Sequence, residues 1–257
     1  MLSFPLMRDL PQVVETAGWH WKAFTAPVAP STNFWVGTDL HGNRWLTKLT
    51  GDFYAYREIV FARLAQQMGW SCQSSVFMRL DAQSAKAIGA KRGALHAAHW
   101  FLDEHVHPPC SEHCNLAPLV GIPVESVEDI AGLPIAYILD WPKSEMAACL
   151  FGGNEPPGRL FTKQHEFVII DSELMFSTDP CAFESVVWWG DKDDPTPSGL
   201  KIAREVCAGL LALGQHSLQQ ALALPAGVTV NERWPIAPLL YKSFEYAENF
   251  VRGARGA

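Results

Sequence analysis

Short apolar stretches separated by turn residues dominate the first hundred positions of the chain. Stretches of this length and composition are typical of β-strands, and they lie at 19–24, 34–37, 45–49, 76–80 and 96–102. One segment is different. Residues 56–68 carry apolar side chains at helical spacing and end at Gly69, which predicts a helix between the third and fourth strands.

The pattern becomes mainly helical after residue 103. Helical spacing predicts helices at 127–138, 144–150, 199–215 and 238–252, around one short strand at 166–170. We therefore expect an α+β fold in two lobes. Residues 1–103 would form a smaller, mainly β lobe with one helix, and residues 104–257 a mainly helical lobe, with the strand at 96–102 leading into the hinge.

Composition limits the classes of protein to which the chain can belong. With 257 residues, of which 48% are hydrophobic, it can bury a large core and is not disordered. The net charge of -7 argues against a nucleic-acid surface, since binding to phosphate backbones depends on clustered Lys and Arg. The sequence shows neither a signal-peptide pattern nor an apolar run long enough to cross a bilayer, so we expect a cytoplasmic protein with no membrane partner.

A single lysine, Lys48, is embedded in the apolar strand at 45–49. Lysines are rarely buried without a partner, and Glu58, in the first turns of the following helix, is a candidate. The alternative is that Lys48 extends from an edge strand into solvent and that Glu58 is a solvated helix residue.

A carboxylate, Asp171, stands at the end of the apolar strand at 166–170. At the mouth of a buried strand a carboxylate is costly unless it is paired, hydrogen-bonded or bound to a cation, so Asp171 is a candidate metal ligand. The alternative is a turn or helix-cap aspartate.

The order of these parts resembles the HipA-like branch of the protein-kinase fold, which is related to the phosphatidylinositol 3/4-kinases. The likeness rests on a strand lysine, a helix with Arg57 and Glu58 that closes on residues 68–70, the segment 169–176 and a helical C-terminal region. The stretches 218–225, 232–234 and 238–252 are similar to the same family's tail, so the likeness spans most of the chain. It implies a protein-kinase-like fold that binds ATP and Mg²⁺. Lys48 would contact the phosphates, Glu58 would orient Lys48, and Asp171 would hold Mg²⁺.

The catalytic loop departs from that family's pattern. Family members usually carry an Asp, four intervening residues and an Asn, and equal spacing puts Asn154 on the Asp and Arg159 on the Asn. An amide cannot accept a proton near neutral pH, and a guanidinium cannot bind a cation. Glu155 can supply the missing carboxylate, and Arg159 can compensate phosphate charge instead. A plain Gly/Pro turn is equally consistent with the composition of this segment.

The segment that would cover the nucleotide is also irregular. Residues 26–34 contain two prolines and no glycine, whereas kinases typically use a glycine-rich hairpin here. Ser31, Thr32 and Asn33 can donate hydrogen bonds to phosphate, or they form an ordinary turn.

A dense cluster of Cys and His residues follows the predicted hinge. It consists of His105, His107, Cys110, His113 and Cys114, a composition that suits tetrahedral Zn²⁺ of a structural kind. The spacing matches no standard zinc finger, although His96 or His99 can contribute a further ligand. The alternative is a loop in which the histidines are solvated and the cysteines pack as small hydrophobic residues.

Three functions remain open from the sequence. The first is an ATP-dependent phosphotransferase with an altered catalytic loop that acts on an unidentified hydroxyl acceptor. The second is a pseudokinase that binds nucleotide but acts through a protein partner. The third is a zinc-stabilised interaction module in which Asp171 is only a cap. Replacement of both the Asp and the Asn favours reduced or absent phosphate transfer.

Overall fold

A six-stranded mixed sheet forms the first part of the molecule. The computed structural model describes residues 5–24, 34–102, 105–106, 146–154, 157–162, 167–170, 172–181, 197–231 and 235–253. The strands of this sheet are β1 (Val13–Glu15), β2 (His20–Phe24), β3 (Phe34–Thr38), β4 (Arg44–Lys48), β5 (Ser75–Arg79) and β6 (Leu95–Trp100). Their order is β1-β5-β6-β4-β3-β2, with β1 parallel to β5 and all other neighbours antiparallel.

The turn between β3 and β4 is built on Asp39. Its carboxylate accepts hydrogen bonds from the backbone N–H groups of His41 and Asn43 and from the side chains of Asn43 and Trp45. This turn fixes the register in which Phe34 faces Lys48. It therefore sets Lys48 at the far end of β4.

The two faces of this sheet are covered by different helices. On the outer face, a tryptophan cluster that includes Trp19, Trp45 and Trp100 packs with helix α2 (Ala82–Ile88). Asp81 caps α2 by accepting a hydrogen bond from Ser84 N, and Gly89 ends it in the left-handed conformation. The inner face packs against helix α1 (Asp52–Gln67) through apolar residues such as Phe77 and Ala97.

Helix α1 is buried around most of its circumference. It packs against the sheet on one side and on the other against helix α3 (Pro197–Leu222), which is interrupted at Gly214 and packs in turn on helix α4 (Ile236–Gly253). Residues 146–150 are also helical and lie in the same apolar core. A helix that is buried on most sides belongs at the centre of a fold, and α1 joins the sheet to the helical part.

A small second sheet lies between the two parts. It contains β7 (His105–Val106), β8 (Gly158–Thr162) and β9 (Phe167–Ile170), all antiparallel. Ile169 connects it to the first part, since its N–H donates to Ser71 O and its carbonyl accepts from Gln73 N. Asp171 follows the last residue of β9 directly in the sequence.

The predicted α+β fold class, with a β-rich first lobe and a helical second lobe, is confirmed. The strands predicted at 19–24, 34–37, 45–49, 76–80, 96–102 and 166–170 correspond to β2 to β6 and β9, and the helices at 56–68, 199–215 and 238–252 to α1, the first section of α3, and α4. Helix α1 begins four residues earlier than predicted, at Asp52. The predicted helix at 127–138 lies outside the described residues, and the lobe boundary at residue 103 stays a prediction. Within the described ranges, no helix is both long enough and apolar enough to span a bilayer.

Candidate functional site

Lys48 is the buried cation at the centre of the candidate site. It is the last residue of β4 and only 9% exposed. Its Nζ lies 2.8 Å from Oε2 of Glu173, in the segment that follows β9. A lysine in this environment keeps its charge when a carboxylate compensates it, and Glu173 does so here.

Glu58 contacts a histidine of the large sheet. Its carboxylate, on α1, is 1% exposed and lies 3.3 Å from Nε2 of His99, whose Nδ1 lies 2.7 Å from Ser75 Oγ. His99 faces Leu46 in the register of β4 and β6, so it shares the inner face of the sheet with Lys48. Lys48 contacts Glu173 and Glu58 contacts His99, and the role of Glu58 in orienting Lys48 stays a prediction. Periodicity places Glu58 on the helix but cannot say which inner-face residue it meets.

Glu173 lies in a turn that we call the Glu173 loop, residues 172–178. Phe176 in this loop is fully buried and has a φ of 57°, and its N–H donates to Phe151 O at 2.8 Å. The N–H groups of Ser177 and Thr178 donate to Gly152 O at 2.8 and 3.0 Å. These bonds tie the Glu173 loop to residues 151–154, which are part of the segment predicted to be the catalytic loop (150–161).

Arg57 of α1 holds the other side of the Glu173 loop. Its Nη2 donates to Phe176 O at 2.9 Å, and its Nη1 donates to Ser177 Oγ at 3.1 Å and to Glu173 O at 3.5 Å. The guanidinium carbon lies 4.3 Å from the centre of the Phe53 ring. Burial lowers the pKa of Arg57, but a guanidinium stays protonated in proteins, so Arg57 acts as a fixed cation with several donors.

Two further buried groups, Cys72 and His96, lie near α1. Burial lowers the pKa of His96, whose Nδ1 accepts a hydrogen bond from Gly51 N at the start of α1. Burial, with a smaller effect from the Glu58 charge, raises the pKa of Cys72 well above its usual range. The Cys72 thiol is therefore unreactive, and Nδ1 of His96 is engaged by the backbone N–H at the start of α1.

The other predicted site residues are only partly described. Asn154 is exposed in a bend after the helical residues 146–150, and the Arg159 backbone lies in β8 opposite Ile169. His105 is placed by its backbone in β7. The residues outside the described part are Ser31, Thr32, Asn33, His107, Cys110, His113, Cys114, Glu155 and Asp171. Among the described residues, no group of three or more His, Cys, Asp or Glu side chains is placed to hold a metal ion, and the zinc cluster stays a prediction.

Sequence reasoning missed Glu173 and the role of Arg57. A signal for Glu173 was present, because it lies two residues after Asp171 and its carboxylate had no assigned partner. Arg57 was noticed as part of a pattern, but the pattern could not indicate that it reaches the loop after β9.

The site places the buried ammonium of Lys48 against the carboxylate of Glu173, which lies on a loop held by hydrogen bonds on both sides. Phosphate oxygens and carboxylates make the same charge-assisted contacts with lysine, so this position can accept either group. The candidate site lies where the end of β4 meets the segment after β9.

Comparison with known proteins agrees with this arrangement at the level of the fold. No family model and no curated protein matches the sequence. Among solved structures, the chain is similar to the Helicobacter pylori proinflammatory kinase CtkA, with a TM-score of 0.59, 10% identity, and coverage of 95% of this chain and 98% of that one.

Two structures of the Golgi casein kinase also match, each with a TM-score of 0.40 and 12% identity. The first covers 94% of this chain and 71% of that one, and the second, with Mn/ADP bound, covers 86% and 68%. Scores of 0.40 carry no argument, whereas the match to CtkA spans nearly the whole of both chains. The chain therefore has a protein-kinase-like fold, with a β-rich N-lobe and a helical C-lobe.

Proposed function

We propose that the chain is a kinase-fold protein of the HipA-like branch that binds ATP with Mg²⁺ at the cleft beside Lys48. The observation that carries this proposal is the burial of Lys48 at the end of β4 with its ammonium 2.8 Å from Glu173. A buried cation is costly to keep, and at this point of a kinase fold its use is to neutralise nucleotide phosphates.

The donor chemistry near the Glu173 loop suits Mg²⁺. Asp171 and Glu173 bring two carboxylates within three residues, and carboxylate oxygens are the ligands that Mg²⁺ prefers in proteins. Asp171 would hold the ion, which when bound supplies positive charge to the nucleotide phosphates. Ser31, Thr32 and Asn33 are proposed as further donors to phosphate from the segment before β3.

Transfer of phosphate to a hydroxyl acceptor depends on the altered catalytic loop. Asn154 stands where a catalytic base is expected, and its amide cannot accept the acceptor's proton. Glu155 would have to accept this proton instead, and Arg159 would compensate phosphate charge. The substituted pair favours slow or absent transfer, so a pseudokinase that binds nucleotide and a protein partner is the second candidate.

Calorimetric titration with ATP, with and without Mg²⁺, tests the proposed site. The unmodified chain should bind more tightly with Mg²⁺, Lys48→Met should lose at least about tenfold in affinity, and Asp171→Asn should lose the Mg²⁺ dependence. Lys22→Met, at an exposed position of β2, is the matched control and should bind as the unmodified chain does.

The outcomes separate the candidates. Equal binding by Lys48→Met and the unmodified chain would contradict the assignment of Lys48. If Mg²⁺-dependent binding is present, a radiolabelled-phosphate assay, with hydrolysis and autophosphorylation both followed, distinguishes an active transferase from a pseudokinase.

A further inference from the structure

Two arginines of α1, Arg57 and Arg63, donate to backbone carbonyl groups of other elements. Arg63 Nη1 donates to Ala221 O at 3.0 Å and Ala223 O at 2.7 Å, at the end of α3. Arg57 instead donates to the Glu173 loop. The same residue type in one helix thus serves two different neighbours.

The surroundings of Arg57 are unusual for a cation. It is 4% exposed, and among the described residues its charge meets carbonyl and hydroxyl oxygens and the Phe53 ring instead of a carboxylate. Burying a charge without an opposite charge is expensive, so stability alone is a poor explanation for an arginine here. Burial of the Arg63 charge is less unfavourable, because Arg63 is half-buried and lies at the negative end of the dipole of α3.

The guanidinium group of Arg57 holds the Glu173 loop in its shape. Its two terminal nitrogens contact three successive parts of the loop, at Glu173 O, Phe176 O and Ser177 Oγ. A planar guanidinium fixes relative positions in a way that a flexible ammonium does not. The loop's opposite side is held by Phe151 and Gly152, so Arg57 completes its attachment from the direction of the N-lobe.

We infer that Arg57 is a positioning residue that presents the carboxylate of Glu173 to the metal-bound nucleotide. This inference rests on the proposed function, since it assumes that a Mg²⁺–nucleotide complex binds beside Lys48. Arg57 touches neither the nucleotide nor the ion in this scheme. It acts through the loop, and its loss weakens the part of the affinity that depends on Mg²⁺.

The test compares Arg57→Met, Arg57→Lys and Arg63→Met in the full chain. ATP affinity is measured by calorimetry in Mg²⁺ and in EDTA, and melting temperature and amide exchange of residues 172–178 are recorded for each variant. Arg63→Met is the matched control, because it also removes an α1 arginine that donates to distant carbonyls.

We expect Arg57→Met and Arg57→Lys to bind ATP about tenfold more weakly in Mg²⁺ and no more weakly in EDTA. Amide exchange should speed up at residues 176–178. Arg63→Met should lower the melting temperature by a few degrees and leave the ratio of the two affinities unchanged.

Equal affinity ratios in Arg57→Met, Arg63→Met and the unmodified chain would overturn the inference while leaving the proposed function in place. Equal losses in Mg²⁺ and in EDTA for the two Arg57 variants would also overturn it, because they would show a purely structural role. Absence of ATP binding by the unmodified chain would overturn the proposed function, and this inference with it.

Discussion

The ion pair between Lys48 and Glu173 is the central contact of the candidate site. The two side chains are 11% and 23% exposed, so the pair is shielded but not sealed from water. In the proposed site this carboxylate would occupy the place of a phosphate oxygen. A phosphate ligand would then have to compete with Glu173 for Lys48.

Replacing Glu173 tests this competition. In Glu173→Gln the neutral amide cannot match the charge of a phosphate, so we expect the affinity for ATP in EDTA to rise by about tenfold, as judged by calorimetry. The melting temperature should fall, because Lys48 loses its carboxylate partner.

The matched control is Glu15→Gln, which removes a carboxylate from an exposed ion pair with Arg79. It should leave both ATP affinity and melting temperature nearly unchanged, since surface pairs contribute little to stability. A Glu173→Gln affinity equal to or below that of the unmodified chain would show that Glu173 does not compete with phosphate.

At the scale of elements, the close contact between two loops sets the geometry of the site. Residues 151–154 and the Glu173 loop meet at Gly152, whose φ is 60° and whose missing Cβ would overlap the carbonyl oxygen of Thr178. Only glycine permits both this backbone conformation and this approach. The two segments that would carry the catalytic loop and the metal ligand are therefore held together by their backbones.

Gly152→Ala should force these loops apart. We expect it to destabilise the protein by about 2–4 kcal/mol, since it combines a left-handed backbone with a direct overlap. Gly42→Ala is the matched control, because Gly42 has a φ of 83° and open space around it. With both variants measured by urea titration, Gly42→Ala should destabilise the protein by only about 1 kcal/mol. Equal losses in the two variants would show that the loops do not meet as tightly as the structure indicates.

The elements that could be predicted from sequence are those with a clear apolar signal. Strands β2 to β6 and β9, the first section of α3, and helices α1 and α4 have one. Strand β1 has only three residues and α2 only seven, too few for either period to stand out. Strand β8 was hidden because the glycines and prolines of 152–157 precede it and favour a turn.

The site was predictable only in part, for a different reason. Lys48 and the segment around Asp171 were found because polar residues in apolar strands need partners. The identity of the partner depends on how helix α1 is rotated and where the loop after β9 turns, which periodicity does not determine. Either Glu58 or Glu173 could lie against Lys48, and the packing of the chain places Glu173 there and Glu58 beside His99.

At the scale of the whole molecule, one continuous core joins the lobes. Its residues come from α1, from Phe77 and Ala97 of the large sheet, from the helical residues 146–150 and from α3 and α4. The candidate site lies where β4, the Glu173 loop and α1 meet, so both lobes contribute to it. The match to CtkA over 95% of this chain shows that the two proteins are similar in fold along nearly their whole length.

The central claim is that nucleotide phosphates bind beside Lys48. An ATP acyl-phosphate probe transfers its acyl group to a lysine next to the bound phosphates, and mass spectrometry of the digested chain locates the modified residue. We predict modification of Lys48 that excess MgATP suppresses, with unprotected background labelling at the exposed Lys22 and Lys91. Failure of Lys48 to react, or reaction at the same rate with and without MgATP, would contradict the account.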